Sequence, residues 1–301
     1  PMLSYADSRR THAALMKLDF LAVADLFMTP TAALADIVLP AASHFEIDDI
    51  GHLGLGHGYI LARPRVVDPP EECWPDVKIM NELGKLMTTG AYWHEEYRQF
   101  LEDVVSPAGL TYRQFCDKGY LKGPDRFRAY EEKGFRTPTG KVELVLSTAE
   151  KYQLSPLPEY YGLPEDDDPA YPLILTSAKS PYYLHSSYRW LEKLRRLKPH
   201  PQVQIHPETA RRYNIQDSDN VLLETRYGKI SQQAHLTDAV DPRVVCADHG
   251  WWFPEGDAAT QYEWEKSNYN MLTSMAKLGR EFGTPNLKGL SCRISRQAAK
   301  R

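Results

Sequence analysis

The sequence lacks the short motifs that mark several common enzyme classes. No G-x-G-x-x-G pattern follows a predicted strand, which argues against a nicotinamide-binding Rossmann unit. Neither G-x-S-x-G nor H-E-x-x-H occurs, which argues against an α/β-hydrolase and a zinc metalloprotease. Any function must therefore be inferred from the wider pattern of the chain rather than from one short motif.

Cysteine is scarce and is not arranged for a metal or redox site. The 301 residues contain four cysteines, and no two of them form a C-x-x-C pair. Isolated reduced thiols are the favoured interpretation over a disulfide or metal framework. The spacing is also unlike that of an iron–sulfur cluster. The cysteines are Cys73, Cys116, Cys246 and Cys292.

Charge imbalance and long apolar runs are also missing. The sequence has 36 Lys and Arg against 40 Asp and Glu, so nothing indicates bulk binding to nucleic acid or to a membrane surface. No apolar run is long enough to cross a bilayer. The chain begins with Pro1 and has no signal-peptide pattern. We expect the beginning of the protein to be missing, and the compartment stays open, with the cytoplasm slightly favoured over the periplasm.

The first structural pattern in the sequence is a strand–helix–strand (βαβ) alternation near the N-terminus. Residues 20–23 and 37–39 are short apolar segments that predict buried strands. Between them, Pro30 starts a predicted helical turn for which Thr29 is a candidate N-cap. Strand, helix and strand within about twenty residues are typical of an open parallel sheet, whose loops at the strand C-ends bind ligands.

The middle of the chain is less specific. Residues 43–58 carry histidines and carboxylates among glycines, which is compatible with a metal-binding or substrate-facing loop and with a solvated surface loop. Residues 74–87 and 92–105 have the spacing of amphipathic helices, and we expect their apolar stripes to pack in a core. A proline-rich, acidic segment then follows, which predicts a domain boundary near residue 165.

The C-terminal half reads as a string of short strands. Tyr227 and Gly228 predict a hairpin turn, and the arm after it alternates between two faces, with Ile230 and Gln232 on one of them. Pro207 predicts the first turn of a short helix. Short strands at this spacing predict a small barrel or sandwich. The predicted strands are residues 171–176, 203–205, 221–225, 230–237 and 244–247.

The same residues carry a resemblance to a known family. The stretches are FLAVADLFMTPTAALADIVLPAASHFE, GFRTPTGKVELVLS and the C-terminal pattern PLILTSA…YYLHSSYR…VQIHPETARRYNIQDSDNVLLET…HGWWFPE…SNYNMLT…GTPNLKG. They are similar to the C-terminal part of the molybdopterin oxidoreductases, the dimethyl-sulfoxide-reductase family. Within that family, the acetylene hydratase-like members look nearest. The resemblance covers nearly the whole chain.

The resemblance implies a fold and a division into domains. Residues 1–165 correspond to the C-terminal part of an α/β molybdopterin oxidoreductase domain plus a connection. Residues 166–301 correspond to a molybdopterin-dinucleotide-binding domain, which is a double-psi β-barrel in the family. The expected fold is therefore a partial α/β domain followed by a double-psi β-barrel, a mixed α+β chain.

The resemblance also implies cofactors and partners. The expected cofactor is bis(molybdopterin guanine dinucleotide) holding molybdenum or tungsten, with a [4Fe-4S] cluster only in the missing N-terminal region. The protein ligand to the metal would also lie upstream, so no catalytic or metal-ligating residue is assigned. The expected partners are the N-terminal remainder of the enzyme and, as a further candidate, an iron–sulfur electron-transfer subunit. Neither nucleic acid nor a membrane span is expected.

Carried over residue by residue, the resemblance predicts contacts to the dinucleotide in both parts of the chain. Pyrophosphates bind N–H groups, hydroxyls and cations, while guanine and pterin rings bind amides, carboxylates and flat apolar walls. The predicted contact residues are Asp25, Thr29, Thr31, Thr176, Ser177, Lys179, His185, Ser186, His206, Glu208, His249, Trp251, Asn268, Asn270 and Lys288.

Several of these residues have an ordinary structural alternative. Asp25 and Thr29 are suited to capping the turn that follows them. His185 could be a structural histidine, and Glu208 stabilises a helix first turn by its charge alone. His206 stands where the family commonly has asparagine, so its contact stays open.

Three functions remain open from the sequence. The first is the cofactor-binding portion of an oxidoreductase that transfers oxygen atoms or electrons at the metal. The second is acetylene hydratase-like hydration at a tungsten centre, without net redox chemistry. The third is a non-catalytic module that binds molybdopterin. In the first two, the protein groups orient the cofactor, and the cofactor carries the chemistry.

Overall fold

The computed structural model of the protein describes residues 1–51, 58–87, 90, 92–123, 127–128, 130–160, 168–276, 278–279 and 282–297. The chain forms two compact units. The first comprises Pro1–Leu21, Met28–Asp36 and Val145–Arg301, and the second comprises Ala22–Phe27 and Ile37–Leu144. The boundary predicted near residue 165 lies outside the described residues and stays a prediction.

Short helices occur in both units. Asp7, Thr111 and His206 cap three of them, because each side chain accepts a hydrogen bond from a backbone N–H of the first turn. The α-helices are α1 (Ser8–Leu15), α2 (Asp76–Met87), α3 (Gln99–Val105), α4 (Tyr112–Lys118), α5 (Tyr130–Lys133), α6 (Glu192–Leu197) and α7 (Pro207–Arg212). The 3₁₀ segments are Ala32–Leu34, Ser106–Ala108, Glu150–Tyr152, Ala258–Lys266 and Tyr269–Met271.

The strands group into a parallel pair, a three-stranded sheet and a closed barrel. The strands are β1 (Ala22–Asp25), β2 (Ile37–Pro40), β3 (Asp49–Gly51), β4 (Tyr59–Arg63), β5 (Tyr120–Lys122), β6 (Leu173–Ala178), β7 (Gln202–Ile205), β8 (Asn220–Thr225), β9 (Gly228–Leu236), β10 (Val244–Asp248) and β11 (Leu290–Arg296).

The second unit contains the parallel pair and the three-stranded sheet. β1 pairs with β2 in register from Ala22 with Ile37 to Asp25 with Pro40, which confirms the predicted parallel pairing. β4 lies between β3 and β5, antiparallel to both.

In the loop before β3, the Glu46 carboxylate accepts a hydrogen bond from the Ser43 N–H at 2.7 Å. This bond closes the turn and gives Glu46 a structural role.

The structure describes only part of residues 43–58, for which a metal-binding loop is one interpretation. His52 and His57 lie outside the described residues. Among the residues that are described, no group of three or more His, Cys, Asp and Glu could hold a metal ion.

The apolar stripe of α2 lies on the surface of the second unit. Val77, Met80, Leu83 and Leu86 are 42%, 58%, 45% and 85% exposed. The expectation that this stripe packs in a core is therefore wrong for these side chains. The helix predicted over residues 92–105 is also shorter than expected, because α3 begins only at Gln99.

The first unit is organised around a closed six-stranded barrel in the order β10-β6-β11-β8-β9-β7. β10 and β6 are parallel, as are β7 and β9, and the other neighbouring pairs are antiparallel. β8 and β9 form the predicted hairpin, since Thr225 pairs with Gly228 on either side of the turn. The sequence did not predict β11, which lies between β6 and β8.

The barrel interior follows the period-two alternation of its strands. Leu173 and Leu175 in β6, and Val221 and Leu223 in β8, are buried with one exposed or half-buried residue between them. Gln232 is a buried polar residue on the corresponding face of β9. Its side-chain N–H groups donate to the carbonyls of Asp248 and Ser267, and its Oε1 accepts from the Asp248 N–H. Because this amide is fully paired, its burial is compatible with a stable core.

Within the described ranges, the structure contains no helix with the length and apolar character that crossing a membrane requires.

Candidate functional site

The candidate site lies where two parallel strands of the barrel end. β6 and β10 run side by side, with Ser177 opposite Ala247 and Ala178 opposite Asp248. Because the strands are parallel, the segments that follow them leave the barrel at the same end. Residues 179–189 and 249–252 therefore meet there, although about sixty residues separate them in sequence.

An open cleft of about 750 Å³, including the solvent at its mouth, lies at these strand ends. It contains seven of the predicted contact residues, which the sequence spreads over more than one hundred positions. The predicted residues in the cleft are Ser177, Lys179, His185, Ser186, His249, Asn270 and Lys288. The others that line it are Leu3, Ser4, Ala178, Gly250, Tyr269 and Leu287.

His185 and His249 form a hydrogen-bonded pair at the wall of the cleft. Nδ1 of His185 lies 3.1 Å from Nε2 of His249, and Nδ1 of His249 lies 3.1 Å from the Ala178 carbonyl oxygen. Partial burial, together with the neighbouring His185, lowers the pKa of His249. The pair therefore favours a neutral His249.

Arg189 lies directly behind the histidine pair. Its side chain is only 1% exposed. Nε donates to the Gly250 carbonyl at 3.0 Å, and Nη2 donates to the carbonyls of His185 and His249 at 3.2 Å each. The guanidinium carbon also lies 4.2 Å from the ring centroids of both Tyr183 and Trp251. Burial lowers the pKa of Arg189 to about 10, so the group stays charged at neutral pH.

The acidic residue nearest the strand ends is already neutralised. Asp248, the last residue of β10, forms an ion pair with Lys198 at 2.8 Å. Its carboxylate also accepts a hydrogen bond from the Gln202 N–H at 2.8 Å. The side chains of Lys198 and Asp248 are 15% and 13% exposed, so water screens the pair only weakly.

Lys179 and Lys288 bring positive charge to the cleft. Neither ammonium group forms an ion pair with another described residue, and no described carboxylate lines the cleft. The local field is therefore positive, which favours an anionic ligand.

The floor of the cleft is formed by Tyr269 and Asn270. The Tyr269 hydroxyl donates to the Leu287 carbonyl at 2.8 Å, and burial raises its pKa, so it stays protonated. The Asn270 amide donates to the Leu3 carbonyl at 2.9 Å and accepts a hydrogen bond from Thr273. These contacts hold both side chains in place beneath any ligand.

Three of the predicted residues lie near the cleft without lining it. Thr176 is half-buried within β6. Trp251 is fully buried, and its ring packs on Arg189 instead of providing a wall for a ligand. Asn268 is also fully buried, and its Nδ2 donates to the Ser8 hydroxyl at 2.8 Å. Its Oδ1 is buried without a partner in the described part of the chain.

His206 and Glu208 lie at the opposite end of the barrel. β7 runs antiparallel to β10, and Ile205 pairs with Val245 near the start of β10. The structure therefore does not bring the residues after β7 to the cleft. Nδ1 of His206 accepts a hydrogen bond from the Glu208 N–H at 3.1 Å, so the two residues begin α7.

The side chains of the three predicted residues near the N-terminus accept hydrogen bonds from backbone N–H groups. The Asp25 carboxylate accepts from the Leu26 N–H at 2.7 Å. In the first unit, the Thr29 hydroxyl accepts from the Ala32 N–H at 3.3 Å, and Thr31 accepts from the Met2 N–H at 3.4 Å. The bonds of Asp25 and Thr29 are local, which agrees with the capping alternative for these two residues, whereas Thr31 binds a segment 29 residues away in sequence.

The residues of this site that the sequence did not predict include Arg189, Tyr269 and Ser4. Arg189 was missed because a buried arginine has no sequence pattern that separates it from an exposed one. Tyr269 lies between the two predicted asparagines, so the stretch SNYN could have indicated it. Ser4 lies far from the barrel in sequence, and only the fold brings it to the cleft.

The donor set of the cleft fits a phosphorylated heterocycle. Two ammonium groups that have no carboxylate neighbour among the described residues suit phosphates, and the hydroxyls of Ser4, Ser177 and Ser186 can donate to phosphate or ring acceptors. The Asn270 amide and the histidine pair supply polar groups suited to the edge of a fused ring. The residues present therefore agree with the cofactor that the resemblance implies.

Two family models match the chain. The model described as "Molydopterin dinucleotide binding domain" matches residues 173–291, which include five of the six barrel strands, the start of β11 and most of the cleft. The model described as "Molybdopterin oxidoreductase" matches residues 1–86.

Individual proteins are similar to nearly the whole chain. Acetylene hydratase of Syntrophotalea acetylenica is 31% identical over 96% of this chain and 41% of its own length. Dopamine dehydroxylase of Eggerthella lenta is 27% identical over 97% of this chain and 37% of its own length. A formate dehydrogenase subunit alpha of Methanocaldococcus jannaschii is 27% identical over 98% and 42%. The chain thus spans about two fifths of the length of these relatives.

A solved structure supports the same grouping. Acetylene hydratase from Pelobacter acetylenicus superposes with a TM-score of 0.91 at 28% identity, covering 98% of this chain and 43% of that one. The matched models span both units, and the relatives align over nearly the whole chain. The chain therefore belongs to the molybdopterin oxidoreductase family and carries its dinucleotide-binding domain.

Proposed function

We propose that this chain is the C-terminal, cofactor-binding portion of a molybdenum- or tungsten-dependent enzyme that holds bis(molybdopterin guanine dinucleotide). The observation that carries the proposal is the cleft at the ends of β6 and β10, which lies in the first unit. Its cations, hydroxyls and amide converge there, and no carboxylate from the described part of the chain opposes them.

Each group in the cleft has a role that follows from its chemistry. Lys179 and Lys288 bind phosphate oxygens, and the hydroxyls of Ser177 and Ser186 donate hydrogen bonds to them. Asn270 contacts a ring edge, and His185 accepts from a ring N–H. When bound, the cofactor supplies oxygen-atom or electron transfer at its metal, while these residues bind and orient it.

Other predicted features belong to the same proposal. The contacts of Asp25, Thr29 and Thr31 to the nucleotide stay predictions, and so does the double-psi topology of the barrel. A [4Fe-4S] cluster and the metal's protein ligand would lie in another part of the protein. The formate dehydrogenase relative is a subunit alpha, which supports an electron-transfer subunit as a partner.

The type of reaction has two candidates. The dehydrogenase and dehydroxylase names of relatives favour redox chemistry. Two matches are acetylene hydratases, namely the 31% identical relative and the superposed structure. They favour hydration without net redox. We place redox chemistry first. Two assays on the whole enzyme separate the candidates: acetaldehyde formation from acetylene, and oxidation of a reduced viologen with a reducible substrate.

The cofactor itself gives the first test of the proposal. The protein is purified from cells that make the dinucleotide cofactor, and guanine, pterin, molybdenum and tungsten are measured per chain. We expect stoichiometric guanine and pterin in the wild type. The double substitution Lys179→Ala and Lys288→Ala removes two charge-assisted contacts of about 1.5–3 kcal/mol each, so the retained guanine should fall strongly.

The matched control is Lys229→Ala, because Lys229 is exposed in β9 and does not line the cleft. Retention of guanine in this variant should equal that of the wild type. Wild-type protein without guanine or pterin, from cells that load another family member, would overturn the proposal. Guanine and pterin bound without metal or activity in the whole protein would instead favour the non-catalytic binding module.

A further inference from the structure

The hydrogen bonds of the histidine pair determine which ring nitrogens carry protons. A carbonyl oxygen can only accept, so Nδ1 of His249 must donate to Ala178. Nε2 of a neutral His249 is then an acceptor, and Nδ1 of His185 must donate to it. In a neutral pair, the remaining nitrogen, Nε2 of His185, carries no proton.

This remaining nitrogen has no hydrogen-bond partner among the described residues, and His185 is an exposed residue that lines the cleft. The pair thus offers the cleft a single bare acceptor. If both rings were protonated to imidazolium, two N–H groups would face each other across the 3.1 Å contact, so the pair holds at most one positive charge.

The backbone around the pair is unusual and needs support. His185 has φ of 53° and Gly250 has φ of 64°, both in the left-handed region. A Cβ on Gly250 would lie 2.8 Å from the carbonyl carbon of His185 and 2.9 Å from the Ser186 nitrogen. Only glycine permits this approach, which brings the segments after β6 and β10 together.

Arg189 supplies that support. Its three hydrogen bonds end on the carbonyls of His185, His249 and Gly250, so one side chain ties both segments. Its guanidinium is held between the rings of Tyr183 and Trp251. A planar guanidinium with several N–H donors can make all of these contacts at once. A lysine ammonium cannot reproduce the same set of contacts.

We propose that Arg189 is a positioning residue that holds His185 and His249 as a neutral pair with the proton of each ring on Nδ1, so that the bare Nε2 of His185 is presented to a hydrogen-bond donor in the cleft. The inference rests on the proposed function, since the donor would be an N–H or O–H group of the bound heterocycle. The groups that face the pair are Asp248, which is neutralised by Lys198, and the cations Arg189, Lys179 and Lys288.

The test reads the tautomers directly. Long-range ¹H–¹⁵N NMR of the ¹⁵N-labelled chain, at a pH where both rings are neutral, identifies the protonated nitrogen of each histidine. His185→Asn and His249→Asn assign the two signals. We expect both rings of the wild type to carry the proton on Nδ1. An Nε2–H tautomer of His185 in the wild type would overturn the proposal.

Two substitutions separate positioning from general stability. Arg189→Lys should release His185 to the tautomer mixture of a free imidazole, and so should His249→Asn, whose amide can still donate to Ala178. The matched control is Arg195→Lys, since Arg195 also lies over Trp251 but contacts none of the three carbonyls. A folded Arg189→Lys variant with an unchanged His185 tautomer would overturn the proposal. If that variant does not fold, the wild-type and His249→Asn spectra decide.

Cofactor loading separates this inference from the function on which it rests. We expect Arg189→Lys to retain several-fold less pterin than Arg195→Lys in cells that supply the cofactor. Equal loading of the two variants overturns the role of the pair in binding. Absence of pterin from the wild type contradicts the proposed function, whereas the tautomer measurement still decides whether Arg189 positions the pair.

Discussion

His249, which follows β10, shows how burial changes the protonation of a single residue. Partial burial and the neighbouring His185 lower its pKa below the ordinary value of about 6.5. The unfolded chain therefore takes up a proton at His249 before the folded chain does. As the pH falls below about 6.5, this difference should reduce the free energy of unfolding.

The corresponding prediction compares two unfolding series. Urea unfolding between about pH 7.5 and 5.5 should show stability decreasing as the pH falls, with a slope from this group of at most about 1.4 kcal/mol per pH unit. His249→Asn should lack this component, because its amide can keep the hydrogen bond to Ala178 but cannot titrate. Identical slopes for the two proteins would contradict the prediction.

Among the elements, the β8–β9 hairpin shows how a strand connection is held by the rest of the unit. The Thr225 hydroxyl donates to the Leu272 carbonyl at 2.8 Å, and the Arg9 guanidinium donates to the Tyr227 carbonyl. Gly228 packs against the carbonyl of Met271, and a Cβ there would lie 2.3 Å from that oxygen. The turn therefore depends on close packing against the segment around Tyr269–Met271.

We expect Gly228→Ala to destabilise the protein by about 1–3 kcal/mol, because the backbone must move to relieve the clash. The measurement is the free energy of unfolding in urea. Gly279→Ala is the matched control, since a Cβ at Gly279 would come no closer than 3.4 Å to Thr284. Equal stability of the two variants would show that the hairpin tolerates the extra carbon.

For the molecule as a whole, the four thiols report on the two units separately. Cys246 and Cys292 lie in the first unit and are buried, whereas Cys73 and Cys116 lie in the second and are half-buried. Burial raises the pKa of Cys292 to about 12 and also raises the pKa of Cys246. Since the thiolate is the reactive form, both should react slowly in the folded protein.

Alkylation with iodoacetamide, followed by mass spectrometry of peptides, tests this expectation. Cys73 and Cys116 should be modified first, and Cys246 and Cys292 only when the first unit unfolds. Cys292→Ser should remove one slow site and leave the fast sites unchanged. Equal rates at all four thiols in the folded protein would be inconsistent with the burial of this pair.

The site was partly predictable at each of these scales. Lys179 and His185 follow β6 as predicted and line the cleft, whereas Ser177 lies within β6, which extends two residues further than the predicted strand. Arg189 was not predicted, since its role depends on three carbonyls that belong to different segments. His206 and Glu208 were assigned to the site with the same reasoning, yet the direction of β7 takes them to the other end of the barrel.

The sequence by itself determined the family, the alternation of the barrel strands, the β8–β9 hairpin and the parallel pairing of β1 with β2. These features depend on local patterns in the chain, or on longer stretches that resemble a known family. Only the tertiary structure decided which strand ends meet, that His185 contacts His249, and that the stripe of α2 is exposed. Strand direction, register and burial are set by contacts between segments distant in the chain, and no local pattern encodes those contacts.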